Sequence, residues 1–155
     1  MTAPTVGRKI PAFSVATTAA DKLSSRDLAG APYVLYFYPK DDTPGYTLEG
    51  KDFRDQHGKF RRLKMRILGV SRDSLASHAK FRTKYELPFE LVSDSDEALC
   101  QLFDVIKDKN MYGKKVRGIE RSTFLVDADG VLRQEWRKVK VEGHVAEVLA
   151  AAEKL

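Results

Sequence analysis

The sequence predicts an α/β protein with a mixed central sheet and helices on both of its faces. Short β-branched and aromatic runs alternate with helix-like segments as far as Ile106. Two further strand-like runs flank Ala128–Asp129–Gly130, which is a hairpin signal. The segment Gly143–Leu155 then carries apolar residues at helical spacing. Three strand–helix units followed by a hairpin and a helix fit this layered class.

The central strand is predicted over Tyr33–Tyr38, an apolar run that is rich in aromatic and β-branched residues. Pro39 should end this strand, because proline has no N–H for the sheet. Thr43 and Pro44 then form a helix-start signal, since a threonine hydroxyl can cap free N–H groups and proline suits the first helical position. Tyr46 therefore falls in the first helical turn, where the macrodipole favours negative charge.

The remaining elements are predicted from short strand-like runs and from apolar residues at helical spacing. Strand-like runs occupy Phe13–Thr17 (at a sheet edge), Met65–Ser71, Phe89–Ser93, Ser122–Asp127 and Val131–Trp136. Helical spacing occupies Leu23–Leu28 (a single turn), Thr47–Lys64, Ser74–Tyr85, Leu99–Ile106 and Gly143–Leu155. We expect Lys107–Gly118 to be a polar loop.

Three local features refine these helices. Gly58 predicts a kink or break in the long helix after the central strand, because glycine weakens a helix interior. Ser71 or Asp73 is expected to cap the next helix, and Asp94 or Ser95 the one after that.

Size and composition indicate a single domain over residues 1–155. The chain is long enough to bury a core, and its apolar share of 43% is ordinary for a globular protein. We expect a cytoplasmic protein with no membrane span, because no apolar run is long enough and the N-terminus does not resemble a secretory signal. The net charge of +5 is spread along the chain. A basic cluster formed by Lys59, Arg61, Arg62, Lys64 and Arg66 is interpreted as a solvated helix end and not as a nucleic-acid site.

The segment Tyr36–Gly45, with the sequence YFYPKDDTPG, resembles the active-site loop of the peroxiredoxins, in particular the bacterioferritin comigratory protein (PrxQ) type. The family pattern is a proline, three residues, a threonine, two residues and then the peroxidatic cysteine. Pro39 and Thr43 match this pattern, whereas Tyr46 occupies the cysteine position. The resemblance covers nearly the whole chain and implies the peroxiredoxin version of the thioredoxin fold.

The resemblance also implies roles for individual residues. Thr43 would offer its hydroxyl to a bound peroxide, Pro39 would shield the pocket, and Arg121 would match the arginine that stabilises the thiolate and polarises the O–O bond. The second cysteine of the family cycle would fall at Lys51 in some members and at Arg82 in others. Neither position holds sulfur in this chain.

Tyr46 is not expected to replace the thiolate. An unperturbed phenol has a pKa near 10, so about one in a thousand is ionised at neutral pH. A phenolate oxygen also has no stable counterpart to sulfenic acid. We therefore expect Tyr46 to be a packing residue over Pro39.

Cys100 is the only cysteine, so the chain has neither an internal disulfide nor a multi-cysteine metal site. It borders an apolar helix face and is expected to be an inert, buried thiol. The histidines, His57, His78 and His144, lack ligand-like spacing, and we expect them to be solvated or capping residues. No cofactor and no metal are predicted.

The leading functional hypothesis is a peroxiredoxin scaffold with little or no peroxidase activity. By resemblance, its partners would be a hydroperoxide and thioredoxin, and we expect a monomer that binds neither nucleic acid nor membrane. The alternative is a non-catalytic binding or regulatory protein on the same scaffold.

Overall fold

A mixed sheet of seven strands forms the centre of the part of the chain that the structure, a computed structural model, describes. The described residues are 4–19, 22–42 and 44–155, with the backbone alone described at 44–46 and 109–111. The strands are β1 (Ser14–Thr17), β2 (Leu23–Ser24), β3 (Tyr33–Phe37), β4 (Arg66–Ser71), β5 (Glu90–Ser93), β6 (Ile106–Met111), β7 (Lys114–Ile119), β8 (Ser122–Val126) and β9 (Leu132–Trp136). The helices are α1 (Ser25–Leu28), α2 (Pro44–Arg62), α3 (Leu75–Lys84), α4 (Ala98–Leu102) and α5 (His144–Ala152).

Strand β3 lies inside the sheet, whose order is β2-β1-β5-β4-β3-β8-β9. It runs parallel to β4 and antiparallel to β8, and all of its residues are buried. This confirms the predicted central strand, which ends at Phe37. Because Phe37 pairs with both Val70 and Ser122, the ends of three strands meet where the chain leaves the sheet towards α2.

Both faces of the sheet carry helices, as predicted. Leu35 and Phe37 point into one core, which also includes Leu28 of α1 and Leu99 of α4. The opposite face carries Tyr36 in a second core, together with these buried side chains of α2, α3 and α5: Phe53, Phe60, Phe81, Val145, Val148, Leu149 and Ala152. Alternation of side chains along β3 therefore separates the two cores. Among the described residues, no helix is long and apolar enough to span a membrane.

Helix α2 is continuous from Pro44 to Arg62, so the predicted break at Gly58 is wrong. Phe53 and Phe60, on either side of Gly58, are fully buried, and the Phe53 ring stacks on Tyr36 with centroids 4.6 Å apart. A glycine inside a helix costs about 1 kcal/mol, which is less than the burial of one such aromatic side chain contributes. Tertiary packing thus overrides the local propensity.

The predicted loop Lys107–Gly118 is instead a hairpin formed by β6 and β7. Its turn residues, Tyr112 and Gly113, have positive φ angles of 54° and 79°, as in a two-residue type I′ turn. The pattern was missed because a tyrosine rarely takes the first left-handed position, where asparagine or aspartate is usual.

Helix α4 is shorter than predicted, since it ends at Leu102 and Ile106 already belongs to β6. Its N-cap is Glu97 and not Asp94 or Ser95, but the Asp94 carboxylate accepts the N–H groups of Leu99 and Cys100 at 3.0 and 2.7 Å. The described chain also places β1 between β2 and β5 and not at an edge.

Helix α3 begins one residue later than predicted and has a different cap. Ser74 is the N-cap, and its side chain accepts the N–H of Ser77. Asp73, one of the two expected caps, is used in another way, which is described below.

Two glycines on the Tyr36 face should respond oppositely to alanine. A Cβ at Gly58 would meet nothing within 4 Å, so Gly58→Ala should raise the free energy of unfolding by about 1 kcal/mol. A Cβ at Gly69 would lie 2.8 Å from the buried Tyr36 ring, so Gly69→Ala should lower it by about 1–3 kcal/mol. Urea titrations of both variants check this pair, and a stabilised Gly69→Ala variant would contradict the packing described here.

Candidate active site

The loop between β3 and α2 is held by a buried carboxylate, that of Asp41. Its Oδ1 accepts the Tyr38 hydroxyl at 2.6 Å, and its Oδ2 accepts the Ser77 hydroxyl at 2.8 Å. Oδ2 also lies 2.8 Å from Nδ1 of His78. Burial raises the pKa of Tyr38, so this phenol keeps the proton that it donates. The loop is thereby fastened to α3 through two adjacent side chains.

His78 links this loop to the sheet. The side chain is fully buried, and its Nε2 lies 2.8 Å from the carbonyl oxygen of Val92 in β5. Both ring nitrogens therefore have a partner, one on the loop and one on a strand. The expectation that this histidine is solvated or a cap is wrong, because α3 packs against the sheet along the face that carries His78.

The backbone of Asp41 is fixed as well. Its N–H donates to Oδ2 of Asp73 at 2.9 Å, and the Ser71 hydroxyl donates to the same oxygen at 2.6 Å. Asp73 thus joins the end of β4 to the loop, which explains why it does not cap α3. Asp41, Asp73 and His78 place ligand-type atoms within 4.8 Å of one another. Each of these side chains is already hydrogen-bonded, so a metal would have to displace those bonds.

Asp42 receives a second set of contacts from the end of α3. Its carboxylate accepts Lys84 Nζ at 2.8 Å and the Tyr85 hydroxyl at 2.6 Å. These hydrogen bonds, first that of Lys84, lower the pKa of the exposed Asp42. The residue adopts a left-handed backbone with φ of 56°, which turns the chain towards α2.

The residues singled out from the sequence lie around this loop, as far as the structure describes them. Pro39 is half-buried at the start of the loop, and Thr43 lies outside the described residues. The backbone of Tyr46 lies in the first turn of α2, as predicted, whereas its packing against Pro39 concerns a side chain outside the description. Arg121 directly precedes Ser122, the residue that pairs with the last residue of β3, so it lies at the same end of the sheet.

Arg121 has two buried titratable neighbours that the sequence did not point out. Burial raises the pKa of Glu49 to about 8, the Arg121 charge opposes this rise, and Asp52 adds to it. Burial, with a smaller contribution from Arg121, lowers the pKa of His144 to about 4. Both groups are therefore mainly neutral at pH 7. The Arg121 guanidinium therefore meets two neutral titratable groups at this end of the sheet.

Glu49 is the less expected of the two. Its side chain is fully buried, and neither carboxyl oxygen has a hydrogen-bond partner among the described residues. It follows Tyr46 by three residues, so both lie on one side of α2. A glutamate flanked by Leu48 and Gly50 gave no signal of burial in the sequence.

Comparison with known proteins identifies the fold around this loop. The model of the AhpC/TSA family matches residues 6–135. The chain belongs to the AhpC/TSA family. Among curated relatives, a putative peroxiredoxin bcp of Coxiella burnetii is 50% identical over 93% of this chain and 95% of its own length. Peroxiredoxin Bcp of Xanthomonas campestris is 60% identical over 79% and 77%, respectively.

Solved structures agree with this membership. The bacterioferritin comigratory protein of Xanthomonas campestris superposes with a TM-score of 0.87 at 53% identity, over 92% of this chain and 90% of that one. A PrxQ mutant of Xylella fastidiosa gives 0.93 at 40% identity, over 99% and 98%. The chain is thus a peroxiredoxin of the bacterioferritin comigratory protein type with a thioredoxin-like fold, as expected from its loop sequence.

Lys51 and Arg82, the positions that the resemblance assigned to a second cysteine, hold cations with other partners. Lys51 Nζ lies 5.2 Å from the centre of the Tyr85 ring, and Arg82 Nε donates to the carbonyl oxygen of Phe89 at 2.9 Å. Both side chains are half-buried. Each therefore contributes to packing around α3.

Cys100 lies in the other core of the peroxiredoxin fold. It is fully buried in α4, among residues on the face of the sheet opposite to α2. Burial, and then its hydrogen bond with Asp94, raises the pKa of the thiol above its ordinary value. The predicted burial is confirmed, and the residue lacks the exposure that a reactive thiolate requires.

The pH dependence of stability should reveal the Glu49 proton. The native carboxyl keeps its proton up to about pH 8 and an unfolded one loses it near pH 4.5, so the native state binds more protons in this window and the free energy of unfolding falls as pH rises. His144 acts oppositely, but only between about pH 4 and 6.5. Between pH 6.5 and 8, the free energy of unfolding of the unsubstituted chain should therefore fall by about 1.5 kcal/mol. The Glu49→Gln variant should not show this fall. Urea titrations at both pH values measure it, and identical pH dependence in both proteins would contradict a protonated Glu49.

The thiol of Cys100 should not react with water-soluble reagents in the native state. We expect a water-soluble alkylating reagent to label it only after unfolding, because the native thiol is buried and protonated. Intact mass after native and denaturing incubations measures the labelling. Rapid native labelling at neutral pH would show that α4 exposes this thiol.

Proposed function

We propose that this chain is a peroxiredoxin that retains the frame of the peroxidase site but does not turn over peroxides through a thiol. The proposal depends on the position of the only cysteine in the sequence. Position 46 holds tyrosine, and the single cysteine is buried in the opposite core. A thiol peroxidase needs a thiolate that a peroxide can reach, and Cys100 does not meet that requirement.

Tyr46 does not supply the missing step in this proposal. Peroxide reduction by a thiolate forms an S–O bond, breaks the O–O bond and stores the oxygen as sulfenic acid. A phenol with an ordinary pKa near 10 is almost wholly protonated at pH 7 and forms no comparable intermediate. We assign Tyr46 to filling the peroxide pocket.

The frame around position 46 supports the proposal that the site derives from a working peroxidase. Pro39 lies at the start of the clamped loop, and Arg121 lies at the same end of the sheet beside the buried Glu49. We assign Pro39 to shielding, Thr43 to hydrogen bonding with a peroxide oxygen, and Arg121 to stabilising negative charge at position 46. Backbone N–H groups at the start of α2 would add to that stabilisation.

The spacing of a relative's cysteines supports Arg82 as the lost second position. Two solved structures of peroxiredoxin Q from Xanthomonas campestris are cysteine-to-serine variants at sites 36 residues apart. Tyr46 and Arg82 have the same separation. The substrate class that we assign to the ancestral site is a hydroperoxide, in keeping with the alkyl peroxide reduction activity named for that relative, and the reductant would be thioredoxin.

A non-catalytic binding or regulatory role is the second candidate. It is favoured by the contacts on Asp41 and Asp42, which hold these two residues in place although position 46 has no thiol. In this role the protein would be a monomer that binds neither nucleic acid nor membrane. Its partner would bind at the filled pocket.

We expect no consumption of hydrogen peroxide above background, with either thioredoxin and its reductase or dithiothreitol as the reductant. The Tyr46→Cys variant should consume peroxide with dithiothreitol, because the frame would then hold a thiol at an electropositive helix start. It should use thioredoxin poorly, since Lys51 and Arg82 form no disulfide. Peroxide loss is followed in a coupled assay.

A matched variant separates the site from the rest of the molecule. Tyr46→Cys combined with Arg121→Lys should react with peroxide about 10²–10³-fold more slowly than Tyr46→Cys alone, because a planar guanidinium is replaced by a point charge. Turnover by the unsubstituted chain, within about tenfold of an ordinary enzyme rate, would overturn the proposal and point to Cys100.

A further inference from the structure

The hydrogen-bond partners of the two ring nitrogens of His78 indicate where its protons lie. Nε2 faces a backbone carbonyl, which only accepts, so this nitrogen must carry a proton. Nδ1 faces Oδ2 of Asp41 at 2.8 Å. That contact needs a second proton, held either by the ring or by the carboxyl group.

The other contacts of Asp41 place that proton on the ring. Its carboxylate already accepts two hydroxyl groups, those of Tyr38 and Ser77. Hydroxyl donors stabilise the ionised form of a carboxyl group. His78 is then an imidazolium that donates from both nitrogens, and Asp41 is its buried counter-ion.

We propose that His78 is a positioning residue for position 46, because its imidazolium joins β5 to the Asp41 carboxylate and so fixes the loop that leads into α2. The inference rests on the proposed function only in that position 46 is the site of the lost chemistry. His78 does not touch a substrate in this assignment and acts through Asp41.

The geometry supports a role in positioning because the loop has few other anchors of this kind. Asp41 is fixed at its side chain by α3 and at its N–H by Asp73, and Asp42 is tied to the end of α3 by exposed contacts. The contacts of His78 are buried, as is that of Tyr38 with Asp41, and those of His78 extend to Val92 in β5. Losing the imidazolium would leave the Asp41 charge buried without its counter-ion, and the loop would move to solvate it.

The protonation state can be measured in the unsubstituted chain. In a histidine-labelled ¹⁵N sample at pH 7, both ring nitrogens of His78 should show directly bonded protons that exchange slowly with water. His144, which is also buried and lies 2.7 Å from the Thr123 hydroxyl, is the internal control and should show a neutral ring. A neutral ring at His78 would overturn the proposal without any reference to peroxide chemistry.

The positioning role is tested by substitution. In the Tyr46→Cys background, His78→Leu should slow oxidation of the introduced thiol by peroxide about 10²-fold, since displacement by about 1 Å can cost that much. His78→Asn should recover a large part of the rate, because its amide can donate to Asp41 from near the place of Nδ1. Val126→Ala is the matched control, since this buried residue pairs with Tyr33 at the opposite end of β3. It should change the rate less than twofold.

Amide exchange keeps the test independent of the proposed function. In the Tyr46 chain, His78→Leu should speed hydrogen exchange across residues 40–47, whereas Val126→Ala should not. The positioning role would be overturned if peroxide oxidised the introduced thiol equally fast in the His78 variants and in their parent. Unchanged amide hydrogen exchange across residues 40–47 would overturn it too. If Tyr46→Cys itself does not react while the exchange result holds, the proposed function fails and the role of His78 in fixing the loop stands. If His78→Leu does not fold, the ring measurement and His78→Asn still decide.

Discussion

The buried carboxylate of Asp41 is the constraint on which the geometry of the candidate site depends. Its hydrogen bonds join the chain that leaves β3 to α3, and His78 carries the connection on to β5. Removing one partner of a buried charged pair commonly costs about 3–5 kcal/mol, because the remaining charge is left uncompensated. The direction in which α2 starts therefore depends on contacts made by residues more than thirty positions away in the chain.

The electrostatics of the site follow from burial. Burial keeps Glu49 mainly protonated and His144 mainly neutral at pH 7, so neither of these two neighbours adds a full charge next to the Arg121 guanidinium. Such an arrangement suits an anion at the start of α2, where helix N–H groups add to the attraction. A phenol with an ordinary pKa near 10 carries no charge at pH 7, so tyrosine at position 46 would not supply the anion that such surroundings favour.

Much of the fold could be predicted because its signals are local. The apolar run of β3, the Ala128–Asp129–Gly130 turn and the helix start at Pro44 depend on neighbouring residues, and all of them are present. The predicted break at Gly58 was wrong because buried aromatic side chains on either side of it keep α2 continuous. The β6–β7 hairpin was missed because Tyr112 adopts a left-handed conformation without the usual turn sequence.

The site could be predicted only in part, for the same reason. The loop pattern with Pro39 and Thr43 is contiguous, so it pointed to the family, and the same resemblance assigned Arg121. The partners His78 and Asp41 are 37 residues apart, and their contact arises only from the packing of α3 on the sheet. Burial of Glu49 likewise depends on the tertiary environment of α2 and has no sequence pattern of its own.

In the proposed function, position 46 has lost its thiol but the surrounding residues still form the frame of a peroxidase site. The most direct test is the mass of the Tyr46→Cys protein after one equivalent of hydrogen peroxide, with peptide mapping to locate the change. We expect one added oxygen at position 46, stable until a small thiol is supplied, and an unmodified Cys100. A folded protein whose thiol at position 46 stays reduced would show that the peroxidase frame has been lost as well.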